Sequence, residues 1–183
     1  MWIYGILDIR FEGSNPVLTG TTELALRALI FLGLSQSEKP IPPRVLAQSL
    51  GCSSTYLGKT LGLLVKGGIL RSVRGARGGV VLARSPNRIT LLEIVEAAQG
   101  ALLGDFCTGI KPGNIALSCR FHRVMAELHE QMIRTLSNCT LAELVACPVP
   151  QVRGNRAQAP RCKMAFTGVA ELASTARSLA KER

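Results

Sequence analysis

Apolar residues recur at helical spacing along most of the chain, and the pattern breaks only where Gly, Pro and Arg gather. From Thr19 to Leu34, Ala25, Ala28, Leu29 and Leu32 share one side, with Glu23 and Arg27 turned away. Ser35 to Ile41 is polar and reads as a loop. Val45, Leu46 and Leu50 form a second, shorter stripe behind Pro42 and Pro43, which suit a helix entry because a missing N–H there costs no hydrogen bond. Gly51 permits a sharp turn into a third stripe of Leu57, Leu61, Leu64 and Val65, with Ser53 placed as its N-cap. Ile69 to Val73 and Val80 to Leu82 are β-prone runs joined by Arg74-Gly75-Ala76-Arg77-Gly78-Gly79. Thr90 and Glu93 stand at capping-box spacing and open a helix that runs to Ala98 and stops at Gly100. A long stripe of Phe121, Val124, Met125, Leu128, Met132 and Leu136 follows, with His129 turned to the surface, and Thr140 with Glu143 opens a short final helix.

Two helices hinged at Gly51, then a hairpin, predict a helix-turn-helix with a wing. The fold class is mainly α with a small β-wing. The polar face of the third helix carries Ser54, Thr55, Gly58, Lys59, Gly62 and Lys66, which are small, hydroxylated or cationic. Such a face suits a DNA major groove: short side chains allow close approach, hydroxyls meet phosphates and base edges, and lysines neutralise charge. Arg74 and Arg77 sit at the hairpin tip without an acidic neighbour and fit a narrow minor groove. A catalytic phosphate loop fits poorly, because no lysine or helix directly follows the glycines.

Charge strengthens that reading. The 183 residues carry a formal net charge of +10. Between Leu18 and Thr90 the cations greatly outnumber the two acids, Glu23 and Glu38, so the excess lies on the predicted DNA-binding module. No apolar run is long enough to span a membrane, and no signal peptide is evident. The six cysteines are then expected to be reduced in a cytoplasmic protein, available for metal or redox chemistry. Cys52 reads as a small core residue. No nucleophile–base pair, carboxylate pair or cofactor loop appears, so an enzyme is not expected.

The chain resembles the Rrf-two family of winged-helix transcriptional regulators, of the IscR and NsrR type. The resemblance is carried by Glu23-Leu24-Ala25-Leu26-Arg27-Ala28-Leu29, Ser54-Thr55-Tyr56-Leu57, Ser72-Val73-Arg74-Gly75-Ala76-Arg77-Gly78-Gly79, Ile89-Thr90-Leu91-Leu92-Glu93-Ile94-Val95 and Thr140-Leu141-Ala142-Glu143-Leu144. It departs at Leu24, where the family often has tyrosine, and at Gly58, where the resemblance puts a glutamate that helps select DNA sites. It also implies a [2Fe–2S] cluster held by three cysteines and a histidine ahead of the dimer helix. Cys107, Cys119 and His122 match the outer cysteines and the histidine, whereas Gly113 stands where the middle cysteine is expected. A fourth ligand would come from Asp8, from the partner subunit or from a thiol such as Cys139.

The resulting expectation is a homodimeric regulator, read as a repressor, that binds double-stranded DNA at a pseudo-palindromic operator. Ser53, Ser54, Thr55, Tyr56, Lys59, Lys66, Arg74 and Arg77 would contact DNA, and Cys107, Cys119 and His122 would hold a cluster that senses redox, nitric oxide or iron–sulfur status. The alternative is a cluster-free regulator that uses Cys107 and Cys119 as a thiol switch, or one without sensing at this site. The expected organisation is an N-terminal extension over 1–16 (an added arm, or the product of a start codon assigned upstream of Val17) and a winged-helix DNA-binding domain over 17–100. A sensor loop over 101–118, the dimerisation helix and final short helix over 119–147, and a basic, disordered tail over 148–183 complete it.

Overall fold

The computed structural model describes residues 18–35, 39–75, 78–101 and 119–146. Expectations for the extension, the sensor loop with Cys107, the tail, Arg77, Cys147 and Cys162 lie outside these residues. The element order is α1 (Gly20–Ser35), α2 (Pro43–Leu50), α3 (Ser54–Lys66), β1 (Leu70–Val73), β2 (Gly79–Leu82), α4 (Leu91–Gln99), α5 (Arg120–Ser137) and α6 (Leu141–Ala146), with a 3-10 turn at Pro86–Arg88. This is a winged helix, mainly helical with one two-stranded antiparallel sheet.

Helix α1 is more enclosed than a one-sided stripe predicts. Leu24, Leu26, Ile30 and Phe31 are buried along with the expected Ala25, Ala28, Leu29 and Leu32. The reason is position: α2, α3, α4, β2 and α6 all pack on α1, so apolar residues are needed around most of its circumference. Against α6 the fit is close enough that a Cβ on Gly33 would lie 2.6 Å from a Val145 methyl. Leu46, Leu57, Leu64, Ile69, Ile89, Ile94 and Leu141 complete a single core.

The segment before α2, read as polar loop, ends in a strand-like residue. Ile41 is buried and exchanges two backbone hydrogen bonds of 3.0 Å with Val80, adding a third edge to the wing sheet. Gly79 permits this pairing, since a Cβ there would sit 2.3 Å from the Ile41 carbonyl oxygen. A single apolar residue between Pro40 and Pro42 gave no periodicity from which the pairing could be foreseen.

Two capping boxes are joined back to back. Thr90 accepts from the Glu93 N–H and the Glu93 carboxylate accepts from the Thr90 N–H at 2.9 Å; Thr140 and Glu143 repeat the arrangement. An antiparallel bridge links the two, with Leu91 N–H donating to Cys139 O (2.7 Å) and Leu141 N–H to Ile89 O (2.8 Å). Satisfying four helix-entry donors in one place ties α6, and with it the end of α5, to the winged-helix module.

Candidate nucleic-acid interface

Three features aim α3. Gly51 adopts the left-handed conformation (φ 62°) that ends α2, and its N–H reaches the last carbonyls of that helix. Arg27 of α1 donates to Leu50 O at 3.1 Å, placing a guanidinium at the negative end of α2. Leu57, Thr60, Leu61 and Leu64 then bury one face of α3; Val65, expected among them, is only half-buried, and Thr60 replaces it because its hydroxyl is satisfied by Tyr56 O (3.1 Å).

The other face is exposed throughout: Ser53, Ser54, Thr55, Gly58, Lys59, Gly62 and Lys66 all face solvent. Ser53 occupies the N-cap position as expected and is exposed, but its hydroxyl makes no capping bond. Tyr56 is 43% exposed and its OH lies 2.9 Å from Thr21 Oγ1, which fixes the ring beside the first turn of α1. Leu63, at 39% exposed and outside the inward stripe of Leu57, Leu61 and Leu64, belongs to the same surface. A Cβ on Gly58 or Gly62 would meet nothing within 4 Å, so the fold itself does not require glycine at either position.

Beside α3, β1 and β2 pair in the register Leu70↔Leu82 to Val73↔Gly79, burying Leu70, Val80 and Val81 and exposing Arg71 and Ser72. Arg74 is exposed as the chain leaves β1, and Gly75 turns at φ 117°. At the base, Arg84 pairs with Glu93 (3.0 Å) and donates to Arg88 O (3.0 Å), joining the hairpin to the first turn of α4. Burial raises the Glu93 pKa, but the Thr90 N–H and the Arg84 guanidinium outweigh it and hold the carboxyl below its ordinary value.

At the start of α5, Cys119 is the N-cap and its Sγ accepts the His122 N–H at 3.4 Å. Among the described residues His122 Nδ1 is buried without a hydrogen-bond partner, while the backbone N–H of the same residue holds the Cys119 thiol. Among the described residues no group of three potential metal ligands occurs. Cys139 cannot complete a site with Cys119 in the same chain, because the intervening helix separates them by about 30 Å at 1.5 Å per residue. Burial, aided by the charge of Glu143, also raises the Cys139 pKa and keeps that thiol protonated. Histidine 129 is half-buried with Met125 and Met132 on one flank of α5, not turned to the surface as its polarity suggested.

Residues 18–147 match the Rrf2 family, described as iron-dependent transcriptional regulators. The chain belongs to the Rrf2 family. Among its relatives, the transcriptional regulator IscR of Xenorhabdus nematophila is 30% identical over 128 residues, covering 70% of this chain and 78% of that protein. IscR of Pectobacterium carotovorum gives the same identity and coverage. The solved structure of T. potens IscR superposes with a TM-score of 0.55 at 25% identity, over 80% of this chain and 94% of that one. CymR, the global cysteine regulator of B. subtilis, shares the fold with a TM-score of 0.57 at 23% identity, over 70% and 95% of the two chains. As an Rrf2 protein the chain is a transcriptional regulator, and among its described residues no helix is long and apolar enough to cross a membrane.

Proposed function

We propose that this Rrf2 protein is a homodimer that binds a pseudo-palindromic operator, with α3 of each subunit in a major groove and the wing alongside. The observation that carries the reading is the exposed face of α3, which holds hydroxyls, glycines and lysines and no acid, next to exposed Arg71 and Arg74. Ser53, Ser54, Thr55, Tyr56 and Lys59 contact bases and phosphates, Lys66 and Arg74 with Arg77 contact the backbone and minor groove, and half-sites lie about one turn (roughly 34 Å) or a multiple of it apart. The dimer forms through α5.

A [2Fe–2S] cluster is supported by the donor set at the start of α5. Cys119 and the orphaned His122 nitrogen supply two donors, and Cys107 supplies a third from the preceding segment. When bound, the cluster would supply one-electron chemistry and sensitivity to oxidants and nitric oxide. The protein's own part is to hold His122 in the first turn of α5 and so connect the site to the dimer helix.

Two measurements test these readings. In duplex-binding titrations against salt, replacing Arg74 and Arg77 with alanine should weaken binding and flatten the salt dependence by about 0.9 per lost phosphate contact; unchanged affinity and slope would remove the wing from the interface. Anaerobic purification with iron and sulfide analysis should give stoichiometric iron and sulfide for wild type and a loss in Cys107→Ala. A colourless protein that resists reconstitution would leave the thiol switch, or no sensing here.

A further inference from the structure

The exposed face of α3 lacks the side chains that read bases through paired hydrogen bonds. From Ser53 to Lys66 there is no Arg, Asn, Gln, Asp or Glu. The face therefore cannot grip adenine through an amide, cytosine through a carboxylate or guanine through a guanidinium. Its hydroxyls accept more than one base, and Lys59 and Lys66 are drawn to phosphate as readily as to guanine. What the face does expose is apolar surface. Tyr56 and Leu63 are 43% and 39% exposed. Seven residues, close to two turns, separate them and put them on one side of the helix, with Lys59 between.

Neither residue is needed by the core. Leu57, Thr60, Leu61 and Leu64 already fill the buried side of α3. The Tyr56 hydroxyl is held at 2.9 Å by Thr21 Oγ1, so the ring stands fixed beside α1 and loses little freedom on binding. Gly58 and Gly62 have open space where a Cβ would be, so the surface beside the two apolar residues is low. A duplex can approach such a backbone closely, which brings the Tyr56 ring and the Leu63 side chain down to the base edges. In the major groove the apolar group on a base edge is the 5-methyl of thymine.

We propose, resting on the reading of α3 as the groove helix, that Tyr56 and Leu63 select the operator by packing on thymine 5-methyl groups. The two residues lie roughly 10 Å apart along the axis at about 1.5 Å per residue, which spans about three base-pair steps of roughly 3.4 Å. Each half-site then carries two thymines about three steps apart. Lysines and the wing supply affinity for any duplex, and the two apolar residues supply preference among duplexes.

The test uses the full-length chain and a duplex selected from a randomised pool. Each thymine is replaced in turn by deoxyuridine in both half-sites, which removes the methyl and keeps every hydrogen-bonding group. Two positions about three steps apart should each lose about fourfold in affinity per methyl, the worth of one buried methylene-sized group. In Leu63→Ala one of these positions should become insensitive to the replacement, while the thermal midpoint and binding to an unrelated duplex stay as in wild type. Tyr56→Ala should silence the other position. If no thymine responds, or if Leu63→Ala leaves both positions as sensitive as in wild type, the methyl readout is wrong while DNA binding stands. A Leu63→Ala chain that weakens on every duplex equally makes Leu63 a backbone or structural contact and overturns its assignment. A wild-type chain that enriches no duplex from the pool overturns the DNA-binding reading and this one together.

Discussion

Helices α1 and α5 have nearly the same length and a comparable share of large apolar residues, yet they meet opposite environments. Eleven of the sixteen residues of α1 are buried, while α5 buries none of its eighteen. α1 is surrounded by five elements of its own chain, and its side chains contribute their full transfer free energy to folding. α5 leaves Phe121, Val124 and Leu128 about half exposed, so much of their apolar surface contributes nothing to the stability of a single chain. The winged-helix module is therefore complete in one chain, whereas α5 keeps an apolar face open for the partner subunit proposed above.

Removing a large buried side chain from α1 should have the greatest effect. Phe31 is 1% exposed, and Phe31→Ala is expected to cost about 3–5 kcal/mol, seen as a lower midpoint in urea whether or not the chain is dimeric. An effect below about 1 kcal/mol would mean that α1 is less central than its burial indicates. Phe121→Ala tests the other side of the contrast. Its unfolding midpoint, measured under dissociating dilution, should stay within about 0.5 kcal/mol of wild type. Its dimer dissociation constant should rise by about thirtyfold, the effect of losing an aromatic anchor worth roughly 2 kcal/mol. A large loss of monomer stability would place Phe121 in the core instead.

Gly58→Ala separates fold from interface within α3. Because a Cβ has open space there, alanine should stabilise the helix by roughly 0.5–1 kcal/mol in thermal unfolding. Duplex affinity should fall in the same variant, since the methyl intrudes where DNA approaches; a gain in stability with unaltered affinity would take Gly58 off the DNA surface.

The smallest effect belongs to the ion pair at the wing base. The Glu93 carboxyl lies below its ordinary 4.5, so its contribution is present above that pH and is lost as pH falls through the lowered folded value. Both side chains are over a third exposed, so solvent screening keeps the contribution under about 1 kcal/mol. Urea midpoints of wild type and Glu93→Gln should differ at pH 7 and converge as the pH drops below 4; parallel curves would show that the carboxylate contributes no charge-dependent stability.

The periodicity of the sequence was sufficient to define the helix-turn-helix, the wing, both capping boxes and the exposed face of α3, because each rests on spacing within one element. Gly51 needs only its own backbone conformation, and Thr90 with Glu93 only one helical turn. What the linear pattern left open depends on which elements meet. Ile41 became a strand edge through Val80, α1 became buried around most of its surface because five elements surround it, and the apolar stripe of α5 divided into a half-buried flank and an open seam. In the sequence that stripe is one continuous row of Phe, Val, Met and Leu. Only the tertiary structure leaves Met125 and Met132 half-buried and Phe121, Val124 and Leu128 largely exposed, since hydrophobicity fixes that a residue seeks burial but not which surface provides it.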